Sequence, residues 1–444
     1  MLAPFRGIRY ARDRVSSIAN VTSPPYDVVT DGILDHLRAA DPHNVVRLIL
    51  PGRGADASEA AASLLREWLS AGVLIRDRTP AFYLYEQSHD GHSPDGQGDA
   101  GSSWLQRGIV ALVKLGSPES AAILPHEAVM PGPVAGRREL MEATQANLEP
   151  IFLIYDGDGR DGDTDTATDV IDRVAAERAP LVTITTEDDV THRLWRLGDP
   201  REQAAIVTDL AGRQALIADG HHRYAAYMDM QADMRASGRG AGPWDYGLAF
   251  LVDSSAYPPR LGAIHRVLPG LPPERAAELA KAAFTVQDLP AGLSLDDAQR
   301  CLATAGREGT AFLLAGGTGF RLLSHPDPVQ VAASMPAGVS GSWQGLDASV
   351  LQQLLIERLW GITDSERNVL VDHDAADAVR AVSCGPGDAG STAPGGTAVI
   401  SNPVSFQDVI EIAARGERVP RKSTSFGPKP RTGLVLRTFG PGDS

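Results

Sequence analysis

Residues 215–227 read ALIADGHHRYAAY, and the fold prediction starts from this stretch. The apolar run Ala215-Leu216-Ile217-Ala218 predicts a buried strand. Asp219 and Gly220 predict a turn, because glycine tolerates backbone angles closed to other residues and aspartate readily bonds nearby backbone. An Ala-rich helical pattern begins near His221. The stretch therefore predicts a strand that passes through a tight turn into a helix.

The start of the predicted helix has the features of an anion-binding site. N–H groups in the first turn of a helix attract anions, and Arg223 adds a planar, permanently charged side chain suited to phosphate. The candidate phosphate or nucleotide ligands are Gly220, His222, Arg223 and Tyr224, and the candidate catalytic side chains in the same turn are Asp219 and His221. A helix cap with a solvated basic patch is the alternative interpretation.

Composition is that of a soluble globular protein, with 43% hydrophobic and 22% charged residues among 444. The net charge of −15 argues against a general nucleic-acid coat protein, because such binding requires a basic face. The N-terminus lacks the apolar core of a signal peptide, and no apolar run approaches the roughly 18 residues of a membrane span. Cys301 and Cys384 form neither a metal-binding nor a redox spacing. We expect a cytoplasmic protein that makes no membrane contact.

Strand-like and helix-like patterns alternate along the chain, which predicts an α/β fold in which the two are mixed, as in the α+β class. The predicted strands are 41–50, 81–85, 107–115, 151–155, 181–185, 215–218, 246–252, 261–268 and 398–400. The predicted helices are 58–69, 137–147, 169–178, 202–210, a helix from His221, and 348–359 with Asp347 as its cap. The Pro-Gly-Pro sequence at 131–133 is interpreted as a break before the second of these helices.

Changes in the sequence pattern along the chain predict three segments. They are an N-terminal α/β segment at 1–103, a core at 104–235 that contains the Asp-Gly-His-His-Arg turn, and a C-terminal α/β region at 244–444. Within the last region, residues 415–437 form a basic segment that includes Lys422, Ser423 and Thr424. In an acidic protein such a segment predicts a phosphate or polyanion partner, and a solvated tail is the alternative.

Glu127 is the candidate general base. It follows the apolar residues Ile123 and Leu124, with His126 beside it. Phosphoryl transfer needs positioning, charge neutralisation and one base that orients or deprotonates the acceptor hydroxyl. Glu127 would be that base, while Asp219 would bind Mg²⁺ and the first helical turn would hold phosphate. The sequence contains neither a P-loop nor the protein-kinase signature set.

The motif order resembles that of a known fold family. Pro125-His126-Glu127, the strand that opens at Pro150-Ile151, and the Asp-Gly-His-His-Arg turn at 219–223 are similar to the ParB/sulfiredoxin-like core of the free-serine kinases. The resemblance covers residues from about 107 to 230. It implies that Glu127 is the catalytic base, that the turn binds the phosphates and metal of ADP or ATP with Mg²⁺, and that the substrate is a small hydroxylated molecule such as serine.

Over its whole length the chain resembles a large bacterial family of domains of unknown function. The matching residues outside the core motifs are Pro25, Tyr26, Asp27, Asn44, Arg47, His265, Arg266, Lys422, Ser423 and Thr424. We expect the N-terminal loop, Asn44, Arg47, His265 and the 422–424 segment to converge on the cleft of the core. For Tyr26 and Asp27 a structural turn is the alternative, and for Arg47 a structural ion pair.

Two functional hypotheses remain open from the sequence. The first is a nucleotide-dependent kinase of a small molecule. The second is a ParB-like protein in which a nucleotide gates DNA binding or regulation without kinase activity; the net charge of −15 opposes it and the basic segment supports it. A sulfiredoxin-type reductase is excluded, since it needs a reactive cysteine and His221 occupies that position. The phosphate acceptor and the oligomeric state are not predicted.

Overall fold

The structure is a computed structural model that describes residues 2–52, 54, 56–91, 103–116, 122–157, 165–317, 319–365, 367–383 and 396–440. Cys384 lies outside these residues. The chain divides into two compact units. The first contains Met1–Leu124, Val129–Pro259 and Pro428–Ser444, and the second contains Pro125–Ala128 and Arg260–Gly427. The segment boundaries expected from sequence, at 103 and 235–244, stay a prediction.

The strands, in chain order, are β1 (Leu2–Ala3), β2 (Ile8–Tyr10), β3 (Leu74–Arg76), β4 (Phe82–His89), β5 (Trp104–Lys114), β6 (Ile123–Leu124), β7 (Ala146–Asn147), β8 (Ile151–Tyr155), β9 (Val182–Thr185), β10 (Thr191–Leu197), β11 (Ala215–Asp219), β12 (Tyr246–Asp253), β13 (Arg260–Gly262), β14 (His265–Pro269), β15 (Thr285–Asp288), β16 (Phe312–Gly316), β17 (Gly319–Ser324), β18 (Leu370–Asp372), β19 (Gly396–Ser401), β20 (Ser425–Gly427) and β21 (Arg437–Thr438).

The α-helices are α1 (Ile18–Val21), α2 (Asp31–Ala40), α3 (Val46–Ile49), α4 (Ala57–Ser70), α5 (Pro131–Thr144), α6 (Ala167–Glu177), α7 (Pro200–Leu210), α8 (His221–Ala236), α9 (Pro273–Ala280), α10 (Leu295–Gly306), α11 (Pro328–Ser334), α12 (Gly341–Gly345), α13 (Asp347–Val350), α14 (Ala375–Ser383) and α15 (Phe406–Ala414). Short 3-10 helices cover Arg12–Arg14, Tyr26–Val28 and Pro243–Asp245, and a π-helix covers Leu351–Leu359.

The first unit is built on a mixed sheet with the strand order β6-β11-β8-β12-β5-β4-β10-β9, with β1 also paired to β5. Strand β11 pairs antiparallel with β8 and parallel with β6. Apolar residues of α5, α6, α7 and α8 pack with one face of this sheet, where Leu153, Ile217 and Leu251 are buried. The strand that leads into the 219–223 turn, β11, therefore lies in a part of the sheet that helices cover.

The second unit is built on a sheet with the order β15-β17-β16-β19-β14-β18, and its described pairs are antiparallel. Alternating side chains of β16 bury on opposite faces, Phe312 and Leu314 on one and Leu313 and Ala315 on the other. This alternation is expected for a strand covered on both sides. A separate pair, β13 with β20, lies in the same unit.

The mixed α/β class is confirmed, and the strand and helix on either side of residue 220 are as predicted. Three local predictions were wrong. Residues 131–133 begin α5 rather than break it, because proline is tolerated in the first turn of a helix. The predicted strand 41–50 contains the short helix α3. The predicted strand 261–268 is divided between β13 and β14, which lie in different sheets.

Two further features differ from the expectation. Asp347 makes no side-chain cap; it is the first residue of α13, which precedes the π-helix. Strand β10 was not predicted at all, since its apolar residues alternate with His192, Arg193 and Arg196. In both places the structure depends on tertiary surroundings, which the local sequence pattern does not contain.

No helix in the described part of the chain is both long and apolar enough to cross a membrane.

Candidate functional site

The turn between β11 and α8 requires glycine at its centre. Gly220 has a φ of 95° and is the N-cap residue of α8. A Cβ built there would lie 3.1 Å from Arg223 Nε and 3.1 Å from Ile151 Cγ2. The first hydrogen bond of the helix runs from the Tyr224 amide to the Gly220 carbonyl at 2.8 Å. The amides of residues 221–223 therefore precede the helical ladder and point towards the turn, as in anion-binding helix termini.

Asp219 is the centre of a buried charge cluster in the first unit. Its Oδ2 forms an ion pair with Arg223, and its Oδ1 lies 2.6 Å from Lys429 Nζ. Lys429 also pairs with Asp27. Burial alone would raise the pKa of Asp219, but the charges of Lys429 and Arg223 outweigh it and hold the pKa far below its usual value. Asp219 is therefore a carboxylate that two cations keep ionised.

Arg223 is buried and largely committed to the protein. Its Nη2 bonds Asp219 and its Nη1 donates to the Pro150 carbonyl. Its Nε is buried and has no hydrogen-bond partner within the described part of the chain. Burial opposes the charge of Arg223, but Glu149 and Asp219 outweigh it and raise its pKa further. Each terminal nitrogen of Arg223 therefore has an acceptor in the protein, whereas Nε, beside Gly220, has none in the described residues.

Tyr26 connects the N-terminal loop to this cluster. Its backbone N–H donates to Glu149 Oε1 at 3.1 Å, and its ring lies 4.2 Å below the guanidinium carbon of Arg137 and 5.8 Å below that of Arg223. Burial raises the pKa of Tyr26 to about 12, against the lowering influence of both arginines. Pro25 precedes it as the cap of the 3-10 helix. The structure therefore brings Tyr26 and Asp27 to the 219–223 turn.

The two histidines of the turn are partly exposed on the first turn of α8. His222 Nε2 accepts a hydrogen bond from the Met130 amide at 3.2 Å, next to the start of α5. Tyr224 is also partly exposed. His221, His222 and Tyr224 are thus the side chains of the turn that solvent can reach.

Asn44 and Arg47 stabilise the backbone of the N-terminal segment. Asn44 is fully buried, donates to the Asn20 carbonyl at 2.7 Å, and accepts from the Val46 amide. Arg47 donates to the Arg38 carbonyl at 2.7 Å, at the end of α2, and makes no ion pair within the described residues. These hydrogen bonds hold the backbone, although Arg47 Nε is buried and has no hydrogen-bond partner in the described part of the chain.

Glu127 lies in the second unit, in the short segment 125–128. It forms an isolated parallel bridge with Val419, and its Oε1 accepts the Lys422 amide at 2.9 Å. His126 is buried, with Nε2 2.8 Å from Thr424 Oγ1. The Pro-His-Glu motif and the 422–424 segment are therefore in direct contact within the second unit.

Arg266 supports the same segment from β14. Its Nη2 donates to the carbonyls of Arg421 and Lys422 at 3.0 and 2.8 Å, and burial lowers its pKa to about 10. Lys422 has a φ of 54°, in the left-handed region that few non-glycine residues adopt. Ser423 Oγ donates to the Pro420 carbonyl at 2.6 Å. The loop is therefore fixed through its backbone, and its hydroxyl at 423 is already used.

His265, the neighbour of Arg266, is buried on β14. Its Nδ1 accepts the Ser401 amide at 3.3 Å, and burial lowers its pKa. This favours a neutral imidazole that holds the adjacent strand β19. The hydrogen bond from the Ser401 amide is structural. Within the described residues, the His265 side chain makes no hydrogen bond to the 422–424 loop.

The arrangement does not fit Mg²⁺ at Asp219. Both carboxylate oxygens already contact a cation, one Arg223 and the other Lys429. Elsewhere in the described ranges, no cluster of three or more histidine, cysteine or carboxylate side chains could hold a metal ion. The proposed metal role of Asp219 is therefore not supported by its surroundings.

Sequence reasoning missed three members of the charge cluster, Lys429, Glu149 and Arg137. In the sequence, Lys429 is one cation of the basic segment 415–437, and no sequence motif connects it with Asp219. Glu149 precedes Pro150, which was recognised, but its burial depends on Tyr26 from another part of the chain. A spacing signal did exist for one pair, since Asp219 and Arg223 are four residues apart on the entry to a helix.

Comparison with known proteins gives a family and distant structural likenesses. A search of curated proteins found no significant match. A mutant free serine kinase in complex with ADP aligns at 14% identity, covering 72% of this chain and 87% of that chain with a TM-score of 0.35. SbnI with a C-terminal truncation from Staphylococcus aureus aligns at 11% identity, covering 74% and 87%, also with a TM-score of 0.35. A conserved hypothetical protein from Pyrococcus furiosus aligns at 13% identity, covering 74% and 95%, with a TM-score of 0.36.

These structural likenesses are too distant to support an argument about activity. The family match is much stronger, because it extends over residues 2–349 and so over most of the chain. The chain belongs to the family described as "Protein of unknown function (DUF1015)".

Proposed function

We propose that this protein is a nucleotide-dependent phosphotransferase that acts on a small hydroxylated molecule and holds nucleotide phosphate at the start of α8. The observation that carries the proposal is the buried Nε of Arg223, which has no partner in the described residues and lies beside Gly220. A buried charged donor without an acceptor costs about 1–3 kcal/mol or more. A phosphate oxygen at the helix terminus would satisfy it.

The neighbouring groups are consistent with a phosphate at this position. The amides of residues 221–223 and the positive end of the helix dipole favour an anion. Gly220 has no side chain, so a ligand can approach the backbone closely. Asp219 would repel phosphate if it were unpaired, but Lys429 and Arg223 neutralise its charge. In this account Asp219 positions the two cations, and it need not bind a metal.

The adenine nucleotides ADP and ATP are the proposed phosphate carriers, in line with the resemblance of the Asp-Gly-His-His-Arg turn to that of the free-serine kinases. When bound, ATP supplies the transferable phosphoryl group. The residues of this chain would bind and orient its phosphates through the α8 amides and Arg223. His221 and His222 are the exposed polar side chains that would contact the ligand from the same turn.

Glu127 is the proposed general base that would accept the proton of the acceptor hydroxyl. The Lys422 amide donates to its Oε1 at 2.9 Å, which fixes the position of the carboxylate. Because Lys422 N–H comes from a loop whose carbonyls bond Arg266, the orientation of Glu127 depends on that loop. Serine is the first acceptor to test, since only the motif resemblance suggests a substrate.

A ParB-like protein that binds nucleotide and DNA without kinase activity is the second candidate. The basic segment 415–437 favours it, but several of its cations are already paired or bonded. Arg421 pairs with Asp364, Lys429 with Asp219 and Asp27, and Arg437 donates to Asn147. Retention on DNA at low salt tests this alternative, because nonspecific binding is strongest there.

Calorimetric titration of the full chain with adenosine, AMP, ADP and ATP tests the proposal. We expect affinity to increase from adenosine to ADP, because the phosphates make the proposed contacts. At a hundred times its Kd a ligand stabilises the protein by about 2.7 kcal/mol, so a thermal shift provides an independent readout. Equal binding of adenosine and ADP, or binding of none of the four, would contradict the proposal.

A further inference from the structure

One cavity in the first unit is not used by the proposed function. Its volume is about 460 Å³, which is in the range of small-molecule sites. It lies among α1, α2 and the turn that follows β9, with Arg431 also in its wall. Polar and apolar residues line it together, as in most ligand pockets. The cavity therefore has the size and the mixed lining of a binding site.

Arg431 is a cation in the wall of this cavity that makes no ion pair within the described residues. Its Nε donates to Thr22 Oγ1 at 2.7 Å and its Nη2 to the Thr22 carbonyl at 3.3 Å. In the described ranges, its Nη1 makes no hydrogen bond and no carboxylate lies within ion-pair distance. Burial lowers the pKa of Arg431, and the more distant charges of Asp188 and Glu187 only partly oppose this. A largely buried cation without an anionic partner is costly, so an anion in the cavity would be stabilising.

A chain of buried hydrogen bonds holds the polar floor of the cavity in place. The Tyr85 hydroxyl accepts the Arg431 amide at 3.1 Å and lies 2.9 Å from His192 Nδ1. His192 Nε2 lies 3.2 Å from Thr186 Oγ1, a hydroxyl in the cavity wall. Burial lowers the pKa of His192 to about 3, so the imidazole is neutral at physiological pH. The positions of Arg431 and Thr186 are thus fixed before any ligand binds.

The acids near the cavity already have partners. Glu187 pairs with His36 at 3.0 Å, and Asp188 accepts the Thr186 hydroxyl. The part of the lining that α2 contributes includes the apolar side chains Ile33 and Leu37. Ile33 is 39% exposed, so it lies where solvent and ligands can reach it. The cavity therefore offers a cation that makes no ion pair within the described residues, together with apolar side chains from α2.

We infer that this cavity binds a small monocarboxylate with an apolar body, and that Arg431 binds the carboxylate. The apolar part of the ligand packs against Ile33 and Leu37 of α2. The inference does not rest on nucleotide binding, because none of these residues belongs to the 219–223 turn.

Titration of the full chain with phenylacetate and hexanoate, each compared with its neutral amide, tests the inference. We expect both acids to bind at least tenfold more tightly than phenylacetamide and hexanamide. Arg431→Gln should weaken acid binding at least tenfold, whereas Arg173→Gln should leave it unchanged. Arg173 is the matched control because its exposed side chain pairs with Asp165 on the surface.

Ile33→Glu provides a second variant that does not depend on the buried floor. A carboxylate at this exposed position should repel the acids and weaken their binding at least tenfold. If Arg431→Gln does not fold, this variant and the comparison of acid with amide decide the outcome. Equal affinity for acid and amide, undiminished acid binding in Ile33→Glu, or no binding of either acid would overturn the inference.

Discussion

Lys429 Nζ lies 2.6 Å from Asp219 Oδ1, so a residue near the C-terminus completes the charge balance of the strand-to-helix turn. Lys429 pairs at the same time with Asp27. The contact joins three distant parts of the chain within the first unit. It also explains why Asp219, although buried, remains ionised. The C-terminal segment is therefore part of the turn's structure.

Lys429→Met should destabilise the first unit by about 3 kcal/mol, because removing one partner of a buried ion pair leaves the other charge uncompensated. Urea denaturation at pH 7, monitored by intrinsic tryptophan fluorescence, measures the change in the free energy of unfolding. Lys281→Met is the matched control, since Lys281 pairs with Glu278 on the surface and exposed pairs contribute about 0–1 kcal/mol. Equal stability losses in the two variants would show that the Asp219 pair is not structural.

Gly220→Ala should destabilise the protein by about 1–2 kcal/mol, because φ is 95° and the new Cβ would lie 3.1 Å from Arg223 and Ile151. Thermal denaturation measures the loss. Gly132→Ala is the control, because a Cβ at that position in α5 has nothing within 4 Å. It should be neutral or slightly stabilising, as alanine favours helix. A neutral Gly220→Ala would contradict the backbone conformation described for the turn.

The strand-to-helix turn could be predicted from sequence because its signals are local. An apolar run, Asp-Gly and an Ala-rich stretch each favour one conformation, and all three agree. The helix α5 shows the limit of local rules: prolines at 131 and 133 were interpreted as a break, whereas the same ring is compatible with a first helical turn. A proline alone does not distinguish the two cases.

Only those parts of the candidate site that are close together in the sequence could be predicted. The Pro-His-Glu motif and the Asp-Gly-His-His-Arg turn were recognised, but the partners of their charges were not. For Arg223 the sequence predicts a ligand, but it does not predict the ion pair with Asp219 or the hydrogen bond to the Pro150 carbonyl. Lys429 reaches Asp219 only through the fold of the first unit. Sequence identifies a charge more readily than it identifies what neutralises that charge.

Asp347→Asn should stabilise the protein above pH 6. Burial raises the pKa of Asp347 to about 6 in the folded state, above the value of about 3.9 for an unfolded chain. The folded state therefore holds the proton more tightly, and ionisation reduces stability progressively between about pH 4 and pH 6. Asparagine cannot ionise, so the gain should reach at most about 3 kcal/mol at pH 7.5 and disappear near pH 4.

Denaturant unfolding of both proteins across pH 4–8 measures this difference. Asp229→Asn, at an exposed position on α8, is the control and should show no such pH dependence. A stability difference for Asp347→Asn that does not change with pH would mean that Asp347 is not the titrating group.

Glu127→Gln should reduce phosphate transfer to the acceptor by roughly 10²–10⁴-fold, which is the usual contribution of a general base. Glutamine retains an oxygen that can accept the Lys422 amide, so the loop should keep its position. Transfer of labelled phosphate from ATP to serine, and then to other small alcohols, measures the rate. Glu142→Gln, a surface change on α5, should leave it unchanged. An active Glu127→Gln enzyme would exclude Glu127 as the base.

The most direct test of the central claim is the affinity of ADP for wild type and for Arg223→Lys. Lysine retains the positive charge next to Asp219 but removes the Nε–H that we propose to bind phosphate. Calorimetry on the folded variant should show ADP binding weakened at least tenfold, with adenosine binding unchanged. Undiminished ADP affinity in Arg223→Lys would contradict the claim that phosphate binds at the start of α8.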